Sequence, residues 1–307
     1  MVDTAQISTL HRTKYRDNIK MALQQKDSRL LKTVTDVDAS GEIQLLDDLL
    51  GETPYQKKTE RNGKTTYVET PHDQRWVAKP DPIFYAELVD NEDKLASGID
   101  ITGKYVNGGS SALARGTDSA IIEGIFGVAQ TGKKGTILTA FDTNNIVPVA
   151  TGGAASGLNI AKLNAANEIL RANDVDLDAE ECWMPITAKQ NSNLLAQIET
   201  TNKDYGATGA EITNGMVRKL FGFNFAHIEL GNPRLKEAAA LTLDGSGYRK
   251  VPFYTKTGIY AAFWERMMSS VDRLPTVHFS TQVYARRTVA ATRSEEGKVG
   301  YIECNEA

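Results

Sequence analysis

Apolar positions along this chain follow two periods, and each predicts a set of elements. Between Asn107 and Val128, NGGSSALARGTDSAIIEGIFGV, the residues Leu113, Thr117, Ile121 and Ile125 form one row at four-residue spacing. Ala114, Asp118, Ile122 and Phe126 form the next row, so the stretch predicts a central packed helix starting near Ser110 or Ser111. Residues 158–173 predict a second helix with Leu163, Ala166 and Leu170 on one face. Cys182–Thr187 reads as a short strand, Asn191–Ile198 as a short helix and Asn214–Leu220 as another. The strand FGFNFAHIEL follows, with Phe221, Phe223, Phe225 and His227 alternating with Gly222, Asn224 and Ala226. Gly258–Met268 is apolar and reads as helix. Val277–Thr292 and Lys298–Glu303 read as strands joined by a hairpin turn at Ser294-Glu295-Glu296-Gly297. Helices and hairpins segregated in this way indicate an α+β fold.

Two segments do not carry enough apolar residues to stand alone. Residues 3–32 predict a helical arm whose stripe of Ile7, Leu10, Ile19 and Leu23 is thin for a core helix. The arm is basic: Arg12, Lys14, Arg16, Lys20, Lys26, Arg29 and Lys32 outnumber Asp3, Asp17 and Asp27. Residues 51–81 form a charged ribbon. Asn62-Gly63 is a strong hairpin signal between two strand-like runs, Tyr55–Arg61 and Lys64–Thr70, and Thr70-Pro71-His72 is a second reversal point. Neither run has an apolar face, and a lone two-stranded hairpin is marginal in water. The ribbon is therefore either mobile or laid on another molecule. Further on, Thr151–Gly157, TGGAASG, is a small-residue linker and a candidate domain boundary.

Composition narrows the class. The chain has 307 residues, 41% hydrophobic and 24% charged, with a net charge of -4, as in a soluble globular protein. A global basic excess for nucleic acid is absent, and no apolar run approaches the roughly 20 residues of a membrane span. The first residues hold no apolar segment of the secretory type. Cys182 and Cys304 lie far apart without metal spacing and fit inert buried thiols in a reducing compartment; the histidines His11, His72, His227 and His278 are scattered.

Three motifs bear on chemistry. DVDASGEIQLLD, Asp36–Asp47, matches most ligand places of an EF-hand calcium loop through Asp36, Asp38, Ser40, Gly41 and Ile43. Its last place holds Asp47 where Glu is needed, the following helix is cut short at Gly51, and no second copy exists, so a tight turn is the better reading. GVAQTGKK, Gly127–Lys134, nearly spells a phosphate-binding loop, but Lys134 stands where Ser or Thr is required, and the stretch follows a helix and opens a strand. The Ser156 and Ser246 loops miss the spacing of a nucleophile elbow. No catalytic, cofactor or metal residues are expected.

The order of parts resembles the major capsid proteins of tailed bacteriophages, whose fold is shared with herpesvirus shells. The resemblance rests on LLDDLLG before the ribbon, RNGKTTYVETPHDQRWVAK, LVDNEDKLASGIDITGKYVNGGSSALARGTDSAIIEGIFGVA, TGGAASG, WMPITAKQNSNLLAQ, NGMVRKLFGFNFAHIEL and RRTVAATRSEEGKVGYIEC, in this order over most of the chain. It implies an N-terminal arm at 1–48, an extended E-loop hairpin at 49–90, a P-domain at 91–155 and 275–307 with a spine helix at about 110–128, and an A-domain at 156–274. The implied function is a structural shell subunit that assembles with itself as pentamers and hexamers into the icosahedral head enclosing phage DNA. The ribbon residues Lys57, Lys58, Glu60, Arg61, Asn62, Lys64 and Glu69 are the inter-subunit contact candidates. Implied partners are a separate scaffolding protein, a portal, double-stranded DNA held non-specifically on the inner face, and a decoration protein; no membrane is involved. The implied location is the virion, assembled in the cytoplasm of the bacterial host. An encapsulin-like compartment shell shares the fold, and a calcium-binding soluble interaction protein is the alternative from another class.

Overall fold

The computed structural model describes residues 25–51, 53–58, 60–62, 64–65, 67–89, 102–197, 211–229, 241 and 243–306. They fall into two compact units. The smaller takes the described parts of Met1–Ser28, Asp81–Thr117 and Glu265–Val289, and the larger those of Arg29–Pro80, Asp118–Trp264 and Ala290–Ala307.

In the smaller unit, β4 (Ile83–Val89) pairs antiparallel with β14 (Ser280–Arg293), Val89 opposite Thr281 and Ile83 opposite Arg287. Helix α1 (Thr102–Phe126) packs on the Ile83 and Tyr85 side of this pair. A Cβ on Gly109 would come within 2.6 Å of the Tyr85 ring, and one on Gly116 within 3.1 Å of Ile83. The predicted start near Ser110 was therefore too late by about two turns. Gly108 and Gly109 are poor helix formers, but at Gly109 a bare backbone is what the Tyr85 ring requires, and packing overrides propensity.

The larger unit holds a seven-stranded sheet in the order β7-β15-β12-β8-β11-β10-β9. These strands are β7 (Ile146–Val147), β8 (Cys182–Ile186), β9 (Glu211–Thr213), β10 (Met216–Leu220), β11 (Phe223–His227), β12 (Tyr248–Thr255) and β15 (Val299–Asn305). Helix α2 (Ile160–Ala172) covers the sheet with Leu163, Ala166 and Leu170, the face its periodicity predicts. Met184, Ile186, Leu220, Phe223, Phe253 and Ile302 complete the core. A second sheet has the order β2-β3-β5-β6, from β2 (Ile43–Leu50), β3 (His72–Ala78), β5 (Ala129–Thr131) and β6 (Ile137–Thr139). Finally, β1 (Thr35–Asp38) pairs in parallel with Tyr260–Phe263 of β13 (Ile259–Leu274).

Several predicted elements change. Asn214–Leu220 is strand β10, entered and left through turns with positive φ at Asn214, Gly215, Phe221 and Gly222. A bulge between Val217 and Lys219 leaves Val217 and Leu220 buried three residues apart, a spacing that imitates a helix. Gly258–Met268 belongs to strand β13; Ile259, Ala261, Ala262 and Phe263 are all buried, and a strand covered on both faces loses its alternation. The turn after Arg293 is no hairpin, because β14 pairs with β4 while β15 pairs with β12. The short helix predicted at Asn191–Ile198 is α3 (Ala188–Leu195), started three residues earlier by a capping box of Thr187 and Gln190. Of the predicted arm helix, residues 3–24 lie outside the described residues, and 25–32 hold no α-helix; a 3-10 turn forms at Leu31–Thr33.

Candidate functional site

The ribbon emerges from the second sheet. β2 and β3 pair from Ile43–Ala78 to Leu50–His72, and the Gly51 amide donates to the Pro71 carbonyl at 2.8 Å. Pro71 is thus the foot of the ribbon and not its tip. Asn62, with φ 69°, makes the reversal. The strand-like runs Tyr55–Arg61 and Lys64–Thr70 are not strands: their described residues pair with no neighbour, and those from Thr53 to Glu69 are exposed throughout. Their polar faces offer nothing to close on each other.

Lys57, Lys58, Glu60, Arg61, Asn62, Lys64 and Glu69 all lie on this exposed stretch, and among the described residues none of the charged ones makes an ion pair. Lys57 Nζ sits 5.8 Å from the Tyr55 ring. Tyr55 is 82% and Tyr67 89% exposed, values that leave two large rings in water. The sequence reading took the charges and passed over these rings.

The foot is rigid where the tip is bare. Arg75, 5% exposed, donates from Nε to the Ser294 carbonyl and pairs with Asp73 at 3.1 Å. The Trp76 indole donates to the Gly132 carbonyl at 2.7 Å. The Asp47 carboxylate accepts from Ser294 Oγ at 3.0 Å and from the Tyr260 hydroxyl at 3.4 Å. Burial, then the Asp47 charge, raises the pKa of that tyrosine. Arg293, fully buried, donates to the carbonyls of Ile125, Gly127 and Thr139, pairs with Glu296 at 2.8 Å and lies 5.3 Å from the Phe141 ring. Nearby, Lys298 pairs with Glu295 at 3.0 Å and Glu180 at 3.2 Å. Desolvation opposes ionisation of Glu180, but hydrogen bonds from Thr257 and Thr255 and the Lys298 charge outweigh it and lower its pKa.

These anchors were missed from sequence. The one available signal was a basic residue closing the apolar run TVAATR, where Arg293 stands in a strand with no exposed place for it.

Asp36–Asp47 is a strand–turn–strand unit. Asp36 and Asp38 lie in β1 opposite Ala261 and Phe263, Gly41 turns the chain with φ 77°, and Asp47 faces Ser294 from β2. Neither flank has the α-helix an EF-hand needs: a 3-10 turn at Leu31–Thr33 leads into β1, and β2 runs on to Leu50. Gly127–Lys134 leaves α1 into β5 and a tight turn with positive φ at Gly132, Lys134 and Gly135. Cys182 and Cys304 are buried, free thiols; desolvation pushes each pKa up to about 12, which keeps them protonated and unreactive at neutral pH.

Solved phage capsids share this fold. The capsid of cyanophage P-SCSP1u is 12% identical, with 98% of this chain and 95% of that chain covered and a TM-score of 0.71. The capsid asymmetric unit of cyanophage Pam1 is 9% identical, with both chains covered at 100% and a TM-score of 0.70. The mature capsid of bacteriophage PhiM1 is 13% identical, with coverages of 95% and 91% and a TM-score of 0.68. The fold is thus the phage capsid fold. The sequence profile of the phage capsid protein family matches residues 7–306, and the chain belongs to that family. No curated protein sequence matches it. Its role is structural: it is a major capsid protein that assembles with its own copies into the head shell of the virion.

Proposed function

We propose that the ribbon is the E-loop by which each subunit holds the next, and that the shell closes around packaged double-stranded DNA. The observation that carries this reading is the contrast between a foot locked by Arg75, Trp76 and Asp47 and a tip with exposed rings and charges but no strand pairing among its described residues. A neighbour's surface would give Tyr55, Tyr67, Lys57, Lys58, Glu60, Arg61, Asn62, Lys64 and Glu69 the contacts they lack at home. Residues 1–48 act as arm and 49–90 as E-loop. The P-domain is 91–155 with 275–307, its spine helix at about 110–128 overlapping most of α1, and 156–274 is the A-domain. The subunit works without a catalytic site. A separate scaffolding protein guides pentamers and hexamers in the host cytoplasm, a portal occupies one vertex, DNA contacts the inner face non-specifically, and a decoration protein binds outside.

The experiment is sedimentation and negative-stain imaging of the full chain co-produced with its scaffolding protein. Closed shells of megadalton size are expected. A chain that stays monomeric at high concentration with scaffold present contradicts the proposal.

A further inference from the structure

The chain holds three Asn-Gly pairs, Asn62-Gly63, Asn107-Gly108 and Asn214-Gly215, and all three asparagines are exposed. Such a pair can react with itself. The glycine amide nitrogen attacks the asparagine side-chain carbonyl carbon, and glycine carries no Cβ to obstruct the approach. Closure requires rotation about the bond between the asparagine Cα and its main-chain carbonyl carbon until the nitrogen meets Cγ. A backbone whose torsions are fixed resists it.

Two of the pairs are fixed. Asn107 lies inside α1, where the torsions are helical, and its carbonyl accepts from Ser111 Oγ at 2.9 Å. Asn214 and Gly215 make the turn between β9 and β10, with φ 53° and 74°, closed by the pairing of Thr213 with Met216. The Asn191 side chain braces that turn, donating to the Gly215 carbonyl and accepting from the Val217 amide, each at 3.0 Å. Asn62 has no such frame. It sits at the reversal of the ribbon with φ 69°, the ladder of β2 and β3 stops at Leu50 and His72, and no described residue from Thr53 to Glu69 belongs to a helix or a strand. Arg61 and Lys64 flank the pair in sequence, and positive charge favours the ionised amide nitrogen that attacks.

We infer that Asn62-Gly63 is a self-modification site of the folded subunit, converted by its own backbone and by water while the other two pairs persist. The Gly63 nitrogen gives its proton to solvent base and bonds to Asn62 Cγ. The Cγ–Nδ2 bond breaks, and Nδ2 leaves as ammonia with a proton returned by solvent. Water then opens the five-membered imide. Opening at Cγ gives aspartate; opening at the main-chain carbonyl gives isoaspartate, in which the chain runs on through the former side chain. Nothing is oxidised or reduced. Either product adds one negative charge to a stretch that carries Lys57, Lys58, Arg61 and Lys64. What that charge does to an inter-subunit contact rests on the ribbon being the E-loop; the chemistry does not.

The test uses the full-length free subunit, so its outcome does not depend on whether shells form. The chain is held in mildly alkaline buffer, and peptides carrying the three pairs are followed by mass spectrometry with isoaspartate separated from aspartate. Asn107 and Asn214 react only after their segments open, and an opening of about 1.4 kcal/mol slows a reaction about tenfold. The Asn62 peptide should therefore convert about tenfold faster than either of the others, or more, give both products and speed up as the pH is raised. In denaturant the fixed backbones are released, and the other two rates should rise toward that of Asn62. The inference is overturned if Asn62 keeps its amide in the folded chain as long as Asn107 or Asn214 does, if its product is aspartate alone, or if its lead survives denaturation undiminished.

Discussion

Arg293 shows how the shell subunit is fixed residue by residue. A fully buried guanidinium is tolerated only when its N–H groups and charge are all engaged, here by the carbonyls of Ile125, Gly127 and Thr139 and by Glu296. These partners come from the end of α1, from β6 and from the turn before β15, so one side chain ties three segments under the foot of the ribbon. Arg293→Ala should lower the stability of the subunit by about 3–5 kcal/mol, the cost of removing one member of a buried pair. Denaturant unfolding measures it, and a loss below about 1 kcal/mol would reduce Arg293 to the rank of a surface ion pair. Arg293→Lys should recover only part, because an ammonium lacks the planar fork that reaches several carbonyls at once. From sequence the residue was visible only as an arginine out of place in an apolar strand. Which carbonyls it serves depends on segments over 150 positions away, and local pattern does not record that.

Among the elements, α1 and β14 approach each other closely. A Cβ on Gly124 would lie 2.5 Å from the backbone carbonyl of Ala291. Gly to Ala inside a helix ordinarily stabilises by up to about 1 kcal/mol. Here the clash is with backbone, which cannot turn aside, so Gly124→Ala should instead destabilise by about 1–3 kcal/mol, as overpacking does. Thermal melting settles the sign: a raised midpoint would mean that helix and strand are less tightly apposed than described. The elements also show what sequence makes legible. Helix α2 follows its periodicity because it buries one face, and in α1 and β11 the apolar positions Leu113, Ile121, Ile125, Phe223 and Phe225 are buried as their spacing predicts. β10 and β13 were misread for opposite reasons. A bulge gave β10 a helical spacing, and burial on both faces erased the alternation of β13. The early start of α1 was hidden because the Tyr85 ring that accepts Gly109 comes from another strand. The ribbon was legible in location and charge, but its flanks read as strands because β-like residues surround Asn62, while the pairing lies lower, in β2 and β3.

At the scale of the molecule, the account turns on the ribbon as an assembly element and not as part of the subunit's core. Its described residues from Thr53 to Glu69 are exposed, so removing them takes little apolar burial from the fold. Single exposed ion pairs contribute roughly 0–1 kcal/mol, but a closed shell repeats each contact at every subunit. Stability of the subunit and formation of the shell should therefore separate. The most direct measurement compares the full chain with a variant in which Gln56–Glu69 is replaced by a short Gly-Ser linker, following the melting of the free subunit and imaging the particles formed. The account predicts nearly unchanged melting together with failed or aberrant shells. Normal shells from the linker variant, or a subunit that no longer folds, would contradict it.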